Sequence, residues 1–230
     1  MLDNIPLLFP LCTLYGLACG LFLPRIVQEV VAYKCRQYDR TVPAVLADTR
    51  SKAPTVVLHV LLCAGTGLTV EFPQAVFICL FISIALVGAF VDRAVRLIPN
   101  ELLAVLLVVG VAYRIADGGF ESLLGSLIAF GLVAAIFFGT MLIMKLTKGV
   151  RGVGAGDIKL ALVIAIAVGY PGVLYFLVGA ALAIIVYSLF KIQMGLFRFS
   201  SYFPMCPHLM VGLLVACVYA NSWAVGVFLG

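Results

Sequence analysis

The chain has 230 residues, of which 64% are hydrophobic and 11% charged, with a formal net charge of +5. An ordinary soluble domain carries about 25% charged residues. This composition excludes a soluble enzyme and points to an integral membrane protein, a single membrane-embedded domain over 1–230 whose first partner is the lipid bilayer. The positive charge needs no nucleic acid to explain it, because membrane proteins keep excess Lys and Arg on the cytoplasmic side.

A bilayer core about 30 Å thick takes about 20 apolar residues of helix to cross. By that measure the chain reads as an all-α, polytopic transmembrane protein of about eight spans. The start lacks the basic flank and small-residue cleavage site of a secretory signal, so the first apolar run, roughly 5–23, is expected to be a retained span ended by Pro24-Arg25. A polar cytoplasmic loop follows at about 25–54, and its basic excess suits contact with anionic lipid. The second span is expected at 55–70, closed by Glu71-Phe72-Pro73, and the third at 74–91, ending at Asp92. The fourth opens at Pro99, a favourable first-turn residue, and ends near Arg114, after which Asp117-Gly118-Gly119 signals a turn. The fifth, 122–144, leads into a basic, glycine-rich stretch. The sixth and seventh share 158–190 with Gly169-Tyr170-Pro171-Gly172 as the hinge, and the eighth follows a polar loop at 191–208.

The distribution of Lys and Arg orients these spans. Loops 25–54, 92–98, 145–159 and 191–208 hold fourteen of them, and the opposite side holds only Arg114. Both termini are therefore expected to face outward and the four basic loops the cytoplasm.

Asp92 and Asp157 are separated by two crossings, so both fall at the cytoplasmic ends of their spans. Asp157 closes the stretch Gly149-Val150-Arg151-Gly152-Val153-Gly154-Ala155-Gly156-Asp157 and precedes an uncharged run from Leu160 to Phe190. A carboxylate there is costly unless it has a task or a partner. If the glycine stretch were helical, Asp157 would lie roughly 10 Å below the cytoplasmic surface. Gly154 and Gly156, lacking a Cβ, are expected to allow unusual backbone angles and close approach of another chain. Two converging carboxylates share a proton, the arrangement with which an aspartyl protease activates water and polarises a scissile carbonyl. The helix N-terminal dipole makes Asp157 the expected ionised partner. The plainer possibility is structural pairing, Asp92 with Arg96 and Asp157 with Lys159.

Asp92-Arg93-Ala94-Val95-Arg96-Leu97-Ile98-Pro99-Asn100 resembles the first-aspartate motif of type IV prepilin leader peptidases, in which Pro, often within Ile-Pro-Asn, follows the Asp. Gly154-Ala155-Gly156-Asp157-Ile158-Lys159-Leu160 is similar to the family's second motif, Gly-x-Gly-Asp followed by Lys and Leu. Phe203-Pro204-Met205-Cys206-Pro207-His208-Leu209 is similar to its late Pro-Phe-Gly-Pro-x-Leu stretch, with Met205-Cys206 in place of Phe-Gly, and Gly16-Leu17-Ala18-Cys19-Gly20-Leu21-Phe22-Leu23 to the opening of bacterial members. The resemblance implies a membrane aspartyl endopeptidase in the cytoplasmic membrane, with its active site facing the cytoplasm. Its substrates would be prepilins or pseudopilins, from which it removes a short basic leader. Asp92 and Asp157 would be the catalytic pair. Gly154 and Gly156 would admit the substrate backbone, Pro99 would fix the turn beside Asp92, and Asn100 and Lys159 would complete the motifs.

Many bacterial members carry two Cys-x-x-Cys pairs in the first cytoplasmic loop, where this chain has only Cys35. No metal and no cofactor is expected for proteolysis, and S-adenosylmethionine would be needed only if the family's N-methylation is retained. The seven cysteines lack metal-ligand spacing, and Cys12 and Cys19, at i and i+7, are expected to be small packing residues. His59 and His208 are expected in packing or interfacial positions, and Tyr113, Tyr170, Tyr175 and Trp223 as interfacial anchors. An alternative function is a small ion-coupled transporter using the Asp pair. Polar residues deep in the spans are sparse and no internal repeat is evident, which weighs against it. Presenilin-type proteases also use Gly-x-Gly-Asp, but their Tyr-Asp and Pro-Ala-Leu motifs are missing here.

Overall fold

The computed structural model describes residues 5–39, 52–146, 154–195 and 205–221, which are helical apart from short turns. Seven helices run among them: α1 (Ile5–Gln37), α2 (Lys52–Thr69), α3 (Gln74–Val95), α4 (Asn100–Leu146), α5 (Ala155–Val168), α6 (Gly172–Gln193) and α7 (Met205–Asn221). Four of them, α1, α3, α4 and α6, are long and apolar enough to cross a membrane, and α2 and α7 are shorter apolar helices. Side chains such as Phe120 (82% exposed) and Phe138 (73%) stand away from the protein interior on α4. Apolar exposure on that scale is characteristic of surface facing lipid rather than water. The fold is that of an all-helical membrane protein.

The chain divides into two compact units, one comprising Met1–Pro99 with Cys217–Gly230, the other Asn100–Ala216. In the first, α1 lies close against α2 because glycines line the contact. A Cβ on Gly16 would stand 3.0 Å from Cys63 Cβ, and one on Gly67 would stand 2.9 Å from Phe9 Cα. Gly20, one turn beyond Gly16, faces Val56 and the His59 ring. Small residues at this spacing let two helix backbones approach where lipid offers no hydrophobic driving force.

The first span was expected to stop at Pro24-Arg25, and the helix instead continues to Gln37 with Pro10 and Pro24 inside it. Its continuation is explained by packing. Leu23, Val27, Val31 and Cys35 recur every fourth residue and are all buried, forming one apolar ridge past the point where charges begin. Only the later part of the expected 25–54 loop, 40–51, lies outside the described residues.

A part-buried polar cluster joins α1, α2 and α3. The Ser83 hydroxyl donates to the Cys79 carbonyl at 3.0 Å, and it also lies 3.1 Å from the Tyr15 hydroxyl and 3.0 Å from His59 Nε2. With its one proton committed, Ser83 Oγ accepts from both neighbours, so His59 carries its proton on Nε2. Nδ1 then presents a lone pair, and it has no hydrogen-bond partner among the described residues. His59 is a wholly buried member of this network, the packing position rather than the interfacial one of the two expected.

In the second unit, α4 would measure about 70 Å if straight, more than twice the hydrocarbon thickness. It is broken where the turn was expected, at Gly118 (φ −154°, ψ 22°) and Gly119 (φ 60°, ψ −144°). The positive φ at Gly119 favours glycine. The hinge at 169–172 likewise separates α5 from α6, with Gly169 at φ 62°. Tyr113 was expected at the interface and is instead buried (3% exposed), whereas Tyr170 is exposed. Trp223 lies outside the described residues. His208, also buried, packs edge-on to Tyr187 with ring centroids 5.0 Å apart.

Candidate active site

Asp92 occupies the last turn of α3 and is buried, 8% exposed. Its carbonyl accepts the Arg96 N–H at 2.8 Å, and Arg96 itself takes a left-handed conformation (φ 54°, ψ 41°) that ends the helix. The stop is written in the following residues. Proline disfavours helical geometry at the residue before it, so Ile98 cannot easily continue α3 into Pro99. The chain restarts at Asn100, one residue after the expected Pro99, a difference within the usual uncertainty of helix ends. Pro99 is buried and Asn100 exposed. Arg96 also acts electrostatically on the Asp92 carboxylate.

Asp157 sits in the first turn of α5, at the opposite kind of helix end. Gly154 is the N-cap residue and provides no side-chain cap, while its carbonyl accepts the N–H groups of Asp157 (3.1 Å) and Ile158 (3.2 Å). The Asp157 carboxylate turns back over this glycine. A Cβ on Gly154 would lie 2.9 Å from Asp157 Oδ2. The glycine thus leaves room for the carboxylate among the unsatisfied N–H groups of the first turn, where negative charge is favoured. Asp157 is half-buried and Lys159 exposed.

Two expectations about this stretch are corrected. Gly154 has ordinary extended angles (φ −61°, ψ 132°), and Gly156 is a helical residue of α5, so neither uses the backbone freedom unique to glycine. The missing side chain is what matters at Gly154. The helix also begins only at Ala155, so the depth estimate that treated the glycine stretch as helical does not hold. From Ala155 to Val168, α5 is about 21 Å long, less than the hydrocarbon thickness. Gly149 and Gly152 lie outside the described residues, as do Phe203 and Pro204 of the late motif.

Asp92 and Pro99 belong to the first unit, whereas Asn100, Gly154, Gly156, Asp157 and Lys159 belong to the second. Cys35, the lone cysteine of the expected loop, is buried within α1. Among the described residues no group of three or more His, Cys, Asp or Glu is placed to hold a metal ion. Sequence reasoning missed the Tyr15–Ser83–His59 cluster and also Arg114, which is buried where α4 breaks. Arg114 had one visible signal, as the sole basic residue on the side opposite the fourteen others.

The fold, with its lipid-facing helices, defines a helical membrane protein with one carboxylate in the last turn of α3 and another in the first turn of α5. The model of the type IV leader peptidase family matches residues 79–189, a stretch that includes both aspartates. No curated protein and no solved structure was found to match the chain significantly.

Proposed function

We propose that the protein is a membrane aspartyl endopeptidase that removes the short basic leader from prepilins or pseudopilins at the cytoplasmic boundary of the inner membrane. The family match carries this proposal, because the matched residues 79–189 contain both aspartate motifs. The helix ends support it: Asp157 lies where a helix dipole favours the ionised carboxylate, and Asp92 where it does not. In the proposed reaction, ionised Asp157 takes a proton from water as its oxygen attacks the scissile carbonyl. Protonated Asp92 donates to the carbonyl oxygen, and the collapsing tetrahedral intermediate then expels the amine, which takes up a proton. The proposed topology has eight spans, with α4 counted as two at its break, and both termini facing outward.

Co-expression with a prepilin bearing a basic leader tests this function. The protein is expected to shorten the prepilin at the end of the leader, as read by mass spectrometry of the product. An unprocessed prepilin in membranes that contain the folded protein would refute it.

A further inference from the structure

Arginine inside a membrane protein is expensive and ordinarily has a defined task. Arg114 is buried, and its guanidinium meets three separate residues of the second unit, one through a side chain and two through backbone. Nη1 pairs with Asp117 Oδ2 at 3.1 Å, one turn on in the same helix segment. Nη2 donates to the Ser122 carbonyl at 3.2 Å, across the break in α4. Its third contact is Gly169, the residue that caps α5. A Cβ on Gly169 would fall 2.8 Å from both Cζ and Nε of Arg114, so the guanidinium rests directly on the glycine backbone. The adjoining Tyr170 N–H donates to the Gly125 carbonyl at 2.9 Å, and Gly110 lies against Ala167. The C-terminal end of α5 is therefore fastened to both segments of α4.

Leu160 and Ile164 are fully buried and also hold α5. Three of its other buried residues are Ala161, Ala165 and Ala167, whose single methyl groups interlock less than larger side chains do, so the contacts at its C-terminal end add to what places it along its axis. Its N-cap residue makes no side-chain bond. From Gly169 back to Asp157 is twelve residues, about 18 Å of helix. Over that length a helix moves as a rigid rod, so a shift at the fastened end carries through to Asp157.

We infer that Arg114 is a positioning residue for Asp157, holding the far end of α5 and thereby setting where the carboxylate stands. The catalytic consequence rests on the proposed peptidase function, while the positional consequence does not. Both are measured in one series: Arg114→Lys, Arg114→Gln, Arg114→Ala and Gly169→Ala, the last retaining every charge. One readout is leader cleavage per folded molecule, separated into kcat and KM. The other is the rate at which a water-soluble maleimide labels Ala155→Cys, an exposed position at the start of α5, corrected for the native thiols.

A misplacement of about 1 Å is expected to lower kcat of Arg114→Ala roughly 100-fold with KM unchanged. Arg114→Lys should retain more activity than Arg114→Gln, and that variant more than Arg114→Ala. Labelling at position 155 should change severalfold in the same order, and Gly169→Ala should reproduce both effects. Unchanged kcat and unchanged labelling in folded Arg114→Ala, with only thermal stability reduced, would overturn the inference. Should Arg114→Ala fail to fold, Arg114→Lys and Gly169→Ala decide by the same two readouts. If the unmodified protein cleaves no leader, the peptidase proposal fails, and labelling alone decides the role of Arg114.

Discussion

Gly110→Ala tests whether the contact between α4 and α5 is as close as it is described. An added Cβ would lie 2.6 Å from Ala167 Cβ and 2.9 Å from Ala167 Cα. Carbon atoms pack at about 3.5–4.0 Å, so the helices must part by about 1 Å. Overpacking of this kind costs about 1–3 kcal/mol, against roughly 0.5–1 kcal/mol gained by replacing a glycine within a helix. The net expectation is a loss of up to about 2.5 kcal/mol from these two effects. Gly131 and Gly139 lie in the same helix with nothing within 4 Å of an added Cβ, so alanine there should be neutral or stabilising. The assay is the fraction of protein that remains monodisperse after heating in detergent, with leader cleavage measured on the surviving material. Because α5 carries Asp157, Gly110→Ala should also slow cleavage, up to about 100-fold for a displacement of 1 Å. Gly110→Ala matching Gly131→Ala in both stability and rate would refute the packing argument.

Gly156→Val should strongly cut the initial cleavage rate at matched abundance, since valine fills space beside Asp157 and is a poor helix residue. Gly149→Val, farther from the carboxylate, should be close to wild type, and equal rates for the two would remove the access role. Ser83→Ala leaves Tyr15 and His59 without their shared acceptor and should destabilise the protein by at least about 1–3 kcal/mol. Thr69→Val, whose hydroxyl bonds the Gly65 carbonyl of its own helix, is the control, and a similar melting shift for both would contradict the cluster. With Cys35 the one cysteine between residues 25 and 54, purified protein is expected to hold well below one zinc per chain, with cleavage insensitive to chelators. Stoichiometric zinc would reveal a site built from other ligands.

The breaks between helices were legible because glycine and proline act locally. Asp117-Gly118-Gly119 divides α4, and the 169–172 hinge separates α5 from α6. Both aspartates were also legible as helix-end residues, one followed by Ile98-Pro99 and the other preceded by Gly154. The continuation of α1 to Gln37 was present in the four-residue spacing from Leu23 to Cys35, but charges beginning at Arg25 masked it. A helix can continue past the end of its apolar run. The burial of Tyr113 and the partners of His59 and Arg114 were missed for a different reason. Residue spacing defines which positions share a face of one helix, not which neighbour that face meets. The pairing of His59 with Ser83, and of Arg114 with Ser122 and Gly169, depends on contacts between segments distant in sequence. Similarly, a glycine before Asp157 suggested backbone freedom, whereas the angles at Gly154 are ordinary and the space is what Asp157 Oδ2 uses.

The central claim is that Asp92 and Asp157 together carry out leader cleavage. Its most direct test measures cleavage of a prepilin by Asp92→Asn and Asp157→Asn separately, at wild-type membrane abundance. Asparagine keeps the shape of each side chain but can neither take a proton from water nor share one with a carboxylate. Each substitution alone is expected to abolish leader removal while the protein still inserts and folds. Substantial cleavage by either single variant would contradict the paired-aspartate account.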